Sequence, residues 1–378
     1  MVKLKTGITG CGKVAHLHAR ALINGINSDF KAVSSRSAEK GGKFAAEYGV
    51  NSYTGIEEMI AKEKLDVVVI CTPHPFHKDP AIAAINAGAH VIVEKPLAST
   101  LEDCDAMIRA ADNAGKKLGV VSQRRFYSPC MRMFNAIQEG KIGTPALGSV
   151  LMLGWRDKNY YDSDQWRGSW EHEGGGVLVN QAPHQIDLLQ WFMGGEIDEL
   201  YGIWRNFNHP YIEVEDTAVA VLKFKNGGIA NIVVSNSQNP GIYGKVHIHG
   251  SSGASVGVQT DGGAMFIAGM SGILEPPVND LWSIPGEAEM LDRWVKEDSD
   301  IFNSVDATEY YIRLQIEDFI NAVVSDHDPL VTAVQGRKTV EIFTALYRSQ
   351  RDNQPVKWPL KPENQRNDMD GRIMKDLS

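Results

Sequence analysis

The chain is poor in cysteine and has no apolar run long enough to cross a bilayer. Its four cysteines are scattered, and no pair is spaced like metal ligands, which is typical of small buried side chains in a reducing compartment. The N-terminus lacks a charged leader followed by an apolar core and a cleavage site. We therefore expect a cytoplasmic protein without a metal site.

The sequence also lacks a basic cluster that would offset its formal net charge of −9. This balance argues against a surface for nucleic acid or for an anionic membrane. The length of 378 residues suggests two domains, and 43% hydrophobic residues are enough to fill two cores. We expect neither nucleic acid nor a membrane as a partner.

The most informative pattern is at the start of the chain. Residues 2–9 alternate as in a strand, and residues 13–23 carry apolar side chains at helical spacing. Between them lies Gly10-x-Gly12-x-x-Ala15, in which one glycine allows a tight turn and the second admits the backbone to a pyrophosphate. The unpaired N–H groups of the helix N-terminus then face the phosphates. The predicted dinucleotide site contains Gly10, Cys11, Gly12, Lys13 and Val14.

The type of dinucleotide is decided after the second predicted strand, Phe30–Ser34. NAD-binding proteins usually carry an acidic residue here, which accepts hydrogen bonds from the ribose hydroxyls. This chain has Ser35 followed by Arg36, and a guanidinium can pair with the 2′-phosphate of NADP. Stacking of Arg36 on the adenine of either cofactor is the alternative. We expect NADP to be preferred over NAD.

Up to residue 122 the pattern alternates between strands and helices, which implies a doubly wound parallel sheet of the α/β class. The predicted elements include Leu65–Ile70, Pro80–Ala87, His90–Val93, Leu101–Ala114 and Leu118–Val121. Ligands bind at the carboxyl ends of such strands. The predicted cofactor-binding residues there are Thr72, Pro73, His77, Glu94, Lys95 and Gln123. Thr72 and His77 fit equally well a role in capping the next helix.

The pattern changes after about residue 145, where β-branched or alternating runs are separated by turns. These runs predict a largely antiparallel sheet, and they are Leu147–Trp155, Ile197–Arg205, Thr217–Lys225, Gly228–Ser235 and Lys245–Gly250. Helices are predicted at Pro183–Met193, Tyr310–Val323 and Ala333–Arg351. We therefore divide the chain into a Rossmann domain at 1–122, an α+β domain at 123–360 and a C-terminal surface arm at 361–378.

Three motifs carry a resemblance to a known family: Glu94-Lys95-Pro96, Thr72-Pro73-x-x-x-His77, and the glycine-rich stretch from Gly174 to Asp187. With the opening glycines, they make the chain similar to the glucose–fructose oxidoreductase and inositol dehydrogenase (Gfo/Idh/MocA) superfamily over nearly its whole length. The resemblance implies a C-terminal α+β domain whose open sheet often builds homodimers or homotetramers. It also implies reversible oxidation, with NAD or NADP, of a hydroxyl on a sugar, cyclitol or related polyol.

The resemblance assigns the catalytic site to Lys95, His184 and Asn180. Hydride transfer from an alcohol needs a group that takes the hydroxyl proton and a donor that stabilises the developing alkoxide. Lys95 fits the donor, and His184, in the first turn of a predicted helix, fits the base because the helix dipole favours its neutral form. The family usually has an aspartate where this chain has Asn180, and an amide orients groups but takes no proton. Asp187 either orients the imidazole or is a surface carboxylate.

Further candidates lie near the predicted substrate. Arg124 and Arg125 contact cofactor or an acidic substrate group, or are surface arginines. The stretch Trp155–Arg167 is rich in aromatic residues and arginine, so that it either binds a sugar ring or belongs to the core. The predicted substrate-binding residues are Lys95, Arg125, Trp155, Arg156, Trp166, Arg167, Asn180 and His184.

Three classes of function remain open on the sequence. The first is a dehydrogenase for sugars or polyols. The second is a glycosidase of the same fold that uses NAD transiently, which the local motif fits less well. The third is a non-catalytic sensor, against which the presence of both Lys95 and His184 argues.

Overall fold

The computed structural model describes residues 3–262 and 275–363, and these residues fall into two compact units. The first unit takes its described residues from Met1–Gln123 and Thr308–Val340, and the second takes them from Arg124–Ala307 and Glu341–Ser378. Most of the predicted C-terminal arm, residues 364–378, lies outside the described residues. No helix in the described ranges is long and apolar enough to cross a membrane.

The first unit is built on six parallel strands that alternate with helices. The strands are β1 (Leu4–Thr9), β2 (Ser28–Ser34), β3 (Asn51–Tyr53), β4 (Val67–Ile70), β5 (His90–Val93) and β6 (Leu118–Val120). The helices are α1 (Lys13–Asn24), α2 (Ala38–Tyr48), α3 (Ile56–Glu63), α4 (Lys78–Asn86) and α5 (Leu101–Ala114). The strand order β3-β2-β1-β4-β5-β6 reverses direction next to β1, which is the Rossmann arrangement. The predicted doubly wound parallel sheet is confirmed.

The core of this unit follows from its sequence pattern. All four residues of β4 are buried because a parallel sheet is covered on both faces. Helix α5 begins where the Thr100 hydroxyl accepts a hydrogen bond from the N–H of Asp103, and it ends at the left-handed Gly115.

Residues 308–340 pack with the first unit, whereas the division predicted from the sequence assigns them to the second domain. The side chain of Gln315 accepts a hydrogen bond from the N–H of Ser122 and donates one to the carbonyl of Val120, both at 2.8 Å. Phe319 packs against Gly119. These contacts join segments that are distant in the chain, so that no local sequence pattern announces them.

The second unit is built on an eight-stranded sheet with the order β13-β12-β11-β7-β10-β9-β8-β14. Its strands are β7 (Pro145–Leu153), β8 (Ile197–Arg205), β9 (Thr217–Phe224), β10 (Ile229–Ser235), β11 (Tyr243–Gly250), β12 (Ser255–Gly262), β13 (Val278–Trp282) and β14 (Val356–Lys357). Among the strands that the structure describes in this sheet, only β7 and β10 pair in parallel. The predicted mainly antiparallel sheet is therefore confirmed.

The remaining helices lie in the second unit or in residues 308–340, which pack with the first unit. They are α6 (Ser128–Gln138), α7 (Lys158–Asp162), α8 (Val177–Asn180), α9 (Pro183–Met193), α10 (Leu291–Ser304), α11 (Ala307–Val324) and α12 (Ala333–Asp352). Those in residues 308–340 are α11 and the start of α12. Helix α9 has the predicted bounds and ends at Gly194 in the left-handed conformation. It packs on β7 where Gly148 leaves room for Leu189 and Met193. This packing holds the C-terminal half of α9, whose first turn carries His184.

Candidate active site

The glycine turn after β1 has the form that a pyrophosphate needs. Gly10 has φ +99°, and a Cβ at this position would lie 2.7 Å from the carbonyl oxygen of Cys71, so that only glycine fits. Gly12 precedes α1, no described side chain caps the helix, and its first turn contains no acidic residue. A Cβ at Gly12 would meet no described atom within 4 Å apart from its neighbours in the chain. The open helix N-terminus therefore fits a dinucleotide phosphate.

The end of β2 carries Ser35 and Arg36. Arg36 is exposed, and its guanidinium carbon lies 5.8 Å from the centre of the Phe76 ring. An exposed guanidinium beside an aromatic ring is compatible with both predicted roles, pairing with a phosphate and stacking on adenine. Burial raises the pKa of the Cys11 thiol, and a hydrogen bond with Ser35 offsets part of this rise. The protonated thiol of Cys11 is therefore favoured over the thiolate within the turn.

Glu94 connects the predicted catalytic lysine to the core of the first unit. His18 in α1 lies with Nε2 2.6 Å from Oε1 of Glu94, and the N–H of Lys95 donates to Oε2 at 3.0 Å. Burial acts to raise the pKa of Glu94, but His18 and Lys95 outweigh burial and hold it below its usual value. Glu94 is an ionised, 7% exposed anchor, and Lys95 follows it as a half-buried side chain with a cis peptide bond to Pro96.

His77 is placed differently from the prediction that it binds the cofactor. It is 0% exposed, with Nδ1 3.0 Å from the carbonyl of Pro96 and Nε2 2.8 Å from the carbonyl of Thr72. Burial lowers the pKa of His77, so that the neutral ring donates to one of these carbonyls. The Thr72 hydroxyl donates to the carbonyl of Phe76 at 2.8 Å. His77 therefore positions the loop after Lys95, because its ring nitrogens face backbone carbonyls.

Gln123 is the last residue of the first segment of the first unit, and its side-chain oxygen is buried. Its Oε1 is buried and makes no hydrogen bond with the residues that the structure describes. A buried carbonyl of this kind is costly unless a ligand or water pairs with it. This observation supports the prediction that Gln123 contacts a bound molecule.

In the second unit, Glu215 fixes the glycine-rich segment that leads to Asn180. Its carboxylate accepts hydrogen bonds from the N–H groups of Gly176 and Leu178 and from the hydroxyl of Tyr347, all at 2.9 Å. A Cβ at Gly176 would lie 1.8 Å from the carbonyl oxygen of Glu215, so that the close approach requires glycine. Burial raises the pKa of Glu215 to about 7. The sequence did not reveal Glu215 or Tyr347, since no motif contains them.

Asn180 ends α8 and is held by two side chains. Its Nδ2 donates to the Tyr160 hydroxyl at 3.0 Å and to the carboxylate of Glu173. The same hydroxyl accepts from Gln181 at 2.8 Å and from Arg167 at 2.5 Å. Glu173 was missed as a neighbour of the predicted site, whereas Tyr160 belongs to the aromatic stretch that the sequence predicted near the substrate.

His184 lies in the first turn of α9, as predicted, and it is half-buried. Asp187 is not a surface carboxylate: it is 4% exposed and accepts two hydrogen bonds from Arg125, at 2.8 Å from Nε and 2.6 Å from Nη2. Arg125 is 1% exposed and also packs over Trp191 at 4.9 Å. A bidentate buried pair of this kind braces α9, and it argues against the predicted contact of Arg125 with substrate. Arg124 is also buried and donates to Thr260 at 2.9 Å.

The aromatic stretch Trp155–Arg167 has some residues in the core and others at the surface, where they can face a sugar ring. Tyr160, Tyr161 and Arg156 are buried, the Arg167 side chain is 12% exposed, and Trp155 and Trp166 are partly exposed. The Arg167 guanidinium lies 4.2 Å from the Tyr160 ring centre and 4.5 Å from that of Trp166. The buried His209 ties this stretch down, with Nε2 2.7 Å from the carbonyl of Arg156 and Nδ1 2.8 Å from Asp216. Half-exposed aromatic faces beside a charged guanidinium remain suited to a sugar ring.

Comparisons with known proteins agree with this architecture. The oxidoreductase family with an NAD-binding Rossmann fold (Gfo/Idh/MocA) matches residues 4–122, and its C-terminal domain matches residues 131–256. The chain is 30% identical to the 1,5-anhydro-D-fructose reductase of Ensifer adhaerens over 252 residues, 66% of this chain and 74% of that protein. It is 29% identical to the myo-inositol 2-dehydrogenase of Thermotoga maritima over 257 residues, again 66% and 74% of the two chains.

The fold as a whole is similar to a solved structure, the WlbA dehydrogenase of Bordetella pertussis in complex with NADH and UDP-GlcNAcA. The TM-score is 0.83 at 28% sequence identity, covering 95% of this chain and 99% of that chain. The chain belongs to the Gfo/Idh/MocA oxidoreductase family. It is an NAD(P)-dependent oxidoreductase, and its glycine turn and open helix N-terminus fit the dinucleotide.

Proposed function

We propose that this protein is a dehydrogenase that oxidises, reversibly, a secondary hydroxyl of a sugar, cyclitol or related polyol. The observation that carries the proposal is the placement of Asn180 and His184 on successive helices behind a glycine segment that Glu215 anchors. The named relatives, which reduce a sugar derivative or oxidise an inositol, support the same substrate class.

In this proposal each side chain has one role. Lys95 donates a hydrogen bond to the reacting oxygen and stabilises negative charge as it develops there. His184 takes the hydroxyl proton during oxidation and returns it during reduction. Asn180 orients the substrate, and Trp155, Trp166, Arg156 and Arg167 form the neighbouring sugar-binding surface. Bound NAD(P) accepts or supplies the hydride.

We propose further that NADP is preferred over NAD. Ser35 places no negative charge beside the ribose, and the exposed Arg36 offers a guanidinium to a 2′-phosphate. The other cofactor-binding candidates of the glycine turn act on the parts that the two dinucleotides share.

We also propose that the protein forms a homo-oligomer through its large sheet. On one face of β8 and β9, the cross-strand pairs Tyr201 with Val221 and Ile203 with Val219 are exposed, between 39% and 56%. Contiguous apolar side chains on an open sheet are typical of a protein interface. A second copy of the same face buries them symmetrically.

The test of the dehydrogenase is a cofactor-reduction screen with purified protein. Hexoses, inositols, sugar acids, glycosides and nucleotide sugars are offered with NAD and with NADP, and absorbance of the reduced nicotinamide is followed. We expect turnover on at least one free hydroxyl compound. Cleavage of a glycoside without net nicotinamide reduction would identify the glycosidase instead, and binding without either reaction would identify a sensor.

A further inference from the structure

A buried carboxylate lies against the predicted site in the second unit. Glu173 is 1% exposed, and one of its oxygens accepts a hydrogen bond from Nδ2 of Asn180. The other oxygen accepts the N–H of Gly168 at 2.5 Å. Glu173 belongs to none of the motifs that identify the family, since it precedes the glycine segment.

The contacts of Glu173 are those of an ionised carboxylate. Both of its oxygens accept N–H groups, and an ionised carboxylate only accepts. Its negative charge also acts on neighbouring phenols: burial raises the pKa of Tyr161 and Tyr347, and the charge of Glu173 adds to the rise. At Tyr347 the carboxyl of Glu215 adds more to the rise than Glu173 does. The contacts of Glu173 therefore place a negative charge in the interior beside Asn180.

The carboxylate also decides how the amide of Asn180 is oriented. Because Glu173 has no proton to give, the atom of Asn180 that faces it is the nitrogen. The second N–H of that nitrogen points to the hydroxyl of Tyr160, which Arg167 and Gln181 also hold. The amide is consequently fixed with its nitrogen on the side of Glu173.

We propose that Glu173 is a positioning residue for the dehydrogenase reaction: it locks the Asn180 amide and supplies a negative charge beside it. This inference rests on the proposed function. A fixed negative charge stabilises the cationic form of a base such as His184, which follows Asn180 in the chain, when it takes the hydroxyl proton.

Variants that exchange the side chains of Glu173 and Asn180 distinguish the effect of the negative charge from the effect of side-chain packing. Glu173→Gln removes the charge at nearly constant volume. Asn180→Asp places two carboxyl groups within hydrogen-bond distance, and two such groups share one proton because both cannot ionise together. The double variant Glu173→Gln with Asn180→Asp restores one charge and one amide in reversed positions.

The experiment measures kcat, KM, the pH profile and cofactor affinity of these three variants with a substrate from the screen. We expect each single variant to lose roughly tenfold or more in kcat, with a displaced pH profile for Asn180→Asp and nearly unchanged cofactor affinity. The double variant should recover most of the loss, which a role in packing alone does not produce. Glu171→Gln, an exposed change in the same loop, is the matched control and should behave like the wild type.

Wild-type kcat and pH profile in Glu173→Gln would overturn the proposal, as would a double variant that is slower than both single variants. Infrared spectroscopy provides a readout without substrate. Relative to the wild type, Asn180→Asp should add the carbonyl band of a protonated, buried carboxylic acid at neutral pH, and the double variant should lack this added band. If the wild type turns over no compound, the proposed function fails, while this band still decides whether Glu173 holds a charge beside position 180.

Discussion

Nε2 of His18 lies 2.6 Å from Oε1 of Glu94, and this buried pair joins α1, which follows the glycine turn, to the strand that precedes Lys95. Since Glu94 also accepts the backbone N–H of Lys95, one carboxylate connects the cofactor-binding helix to the predicted catalytic residue. Loss of His18 therefore affects both the stability of the first unit and the placement of Lys95.

His18→Ala should lower the free energy of unfolding by about 3 kcal/mol, because it leaves the charge of Glu94 buried without its partner. The stabilisation from Glu94, whose pKa is held below its usual value, is present above that usual value and is lost as the pH falls through the folded pKa. Urea unfolding at pH 7 and at lower pH checks both expectations. The half-exposed His16, in the same helix, is the control, and His16→Ala should cost within about 1 kcal/mol. Equal effects of the two changes would contradict this assignment.

The contribution of Glu215 to stability should depend on pH in the opposite direction. Its pKa is raised by burial to about 7, so that the fold favours its neutral form. Stability that depends on this neutral form is fully present below the usual pKa of a glutamate and is lost as the pH rises through about 7. The loss is on the order of 3 kcal/mol between about pH 4.5 and pH 8.

Glu215→Gln should therefore flatten the pH dependence of unfolding over this range, although its amide cannot accept all three hydrogen bonds and the variant is less stable at pH 5. Guanidinium unfolding at a series of pH values measures the slope. Glu213→Gln, an exposed change two residues earlier, should keep the wild-type slope. A wild-type slope in Glu215→Gln would show that another group titrates.

The sequence predicted those parts of the fold that depend on local pattern. The buried run of β4 and the capped helices α5 and α9 carry their own signals of burial, caps and terminal glycines. The short, mostly exposed β3 carries none, and was missed. The return of Gln315 to the first unit rests on contacts between distant segments, which a local pattern does not encode.

The same distinction applies to the candidate site. Lys95, Asn180 and His184 lie in continuous sequence motifs, so that the sequence alone could single them out as candidates. The Tyr347 that supports Glu215, and the Arg125 that braces Asp187, are distant in sequence from the groups they hold. An isolated arginine looks like a surface residue until the fold pairs it with a buried carboxylate.

Arg36→Ala should weaken NADP binding by about 1–3 kcal/mol, because it removes a charge-assisted pair with the 2′-phosphate. NAD binding should change little. Titration of cofactor-free protein with both dinucleotides, followed by nicotinamide fluorescence or calorimetry, measures the two affinities. Lys40→Ala removes an exposed positive charge from α2 and serves as the control for general electrostatic attraction. An intrinsic preference of the wild type for NAD, or equal losses for both cofactors, would contradict the assignment.

Val221→Glu should dissociate the proposed oligomer, because it places a charge in the centre of the exposed apolar face of β8 and β9. The size of the particle is measured by light scattering coupled to size-exclusion chromatography over a range of concentrations. Lys62→Glu, an exposed change on α3, should leave the size unchanged. If the wild type is a monomer, the proposed interface is wrong.

Lys95→Ala and His184→Ala should each lower turnover by roughly 10²- to 10⁴-fold, the usual scale for the loss of one acid–base group or one oxyanion contact. Cofactor affinity should barely change, because neither side chain belongs to the glycine turn. Stopped-flow measurement of hydride transfer, together with cofactor titration, separates the chemical step from binding. Lys116→Ala, a change at a half-buried lysine after α5 and away from the predicted site, should keep full turnover. If Lys95→Ala and His184→Ala also kept full turnover, other residues would carry out the chemistry. If Lys95→Ala lost only cofactor binding, Lys95 would belong to the dinucleotide site and not to the reacting oxygen.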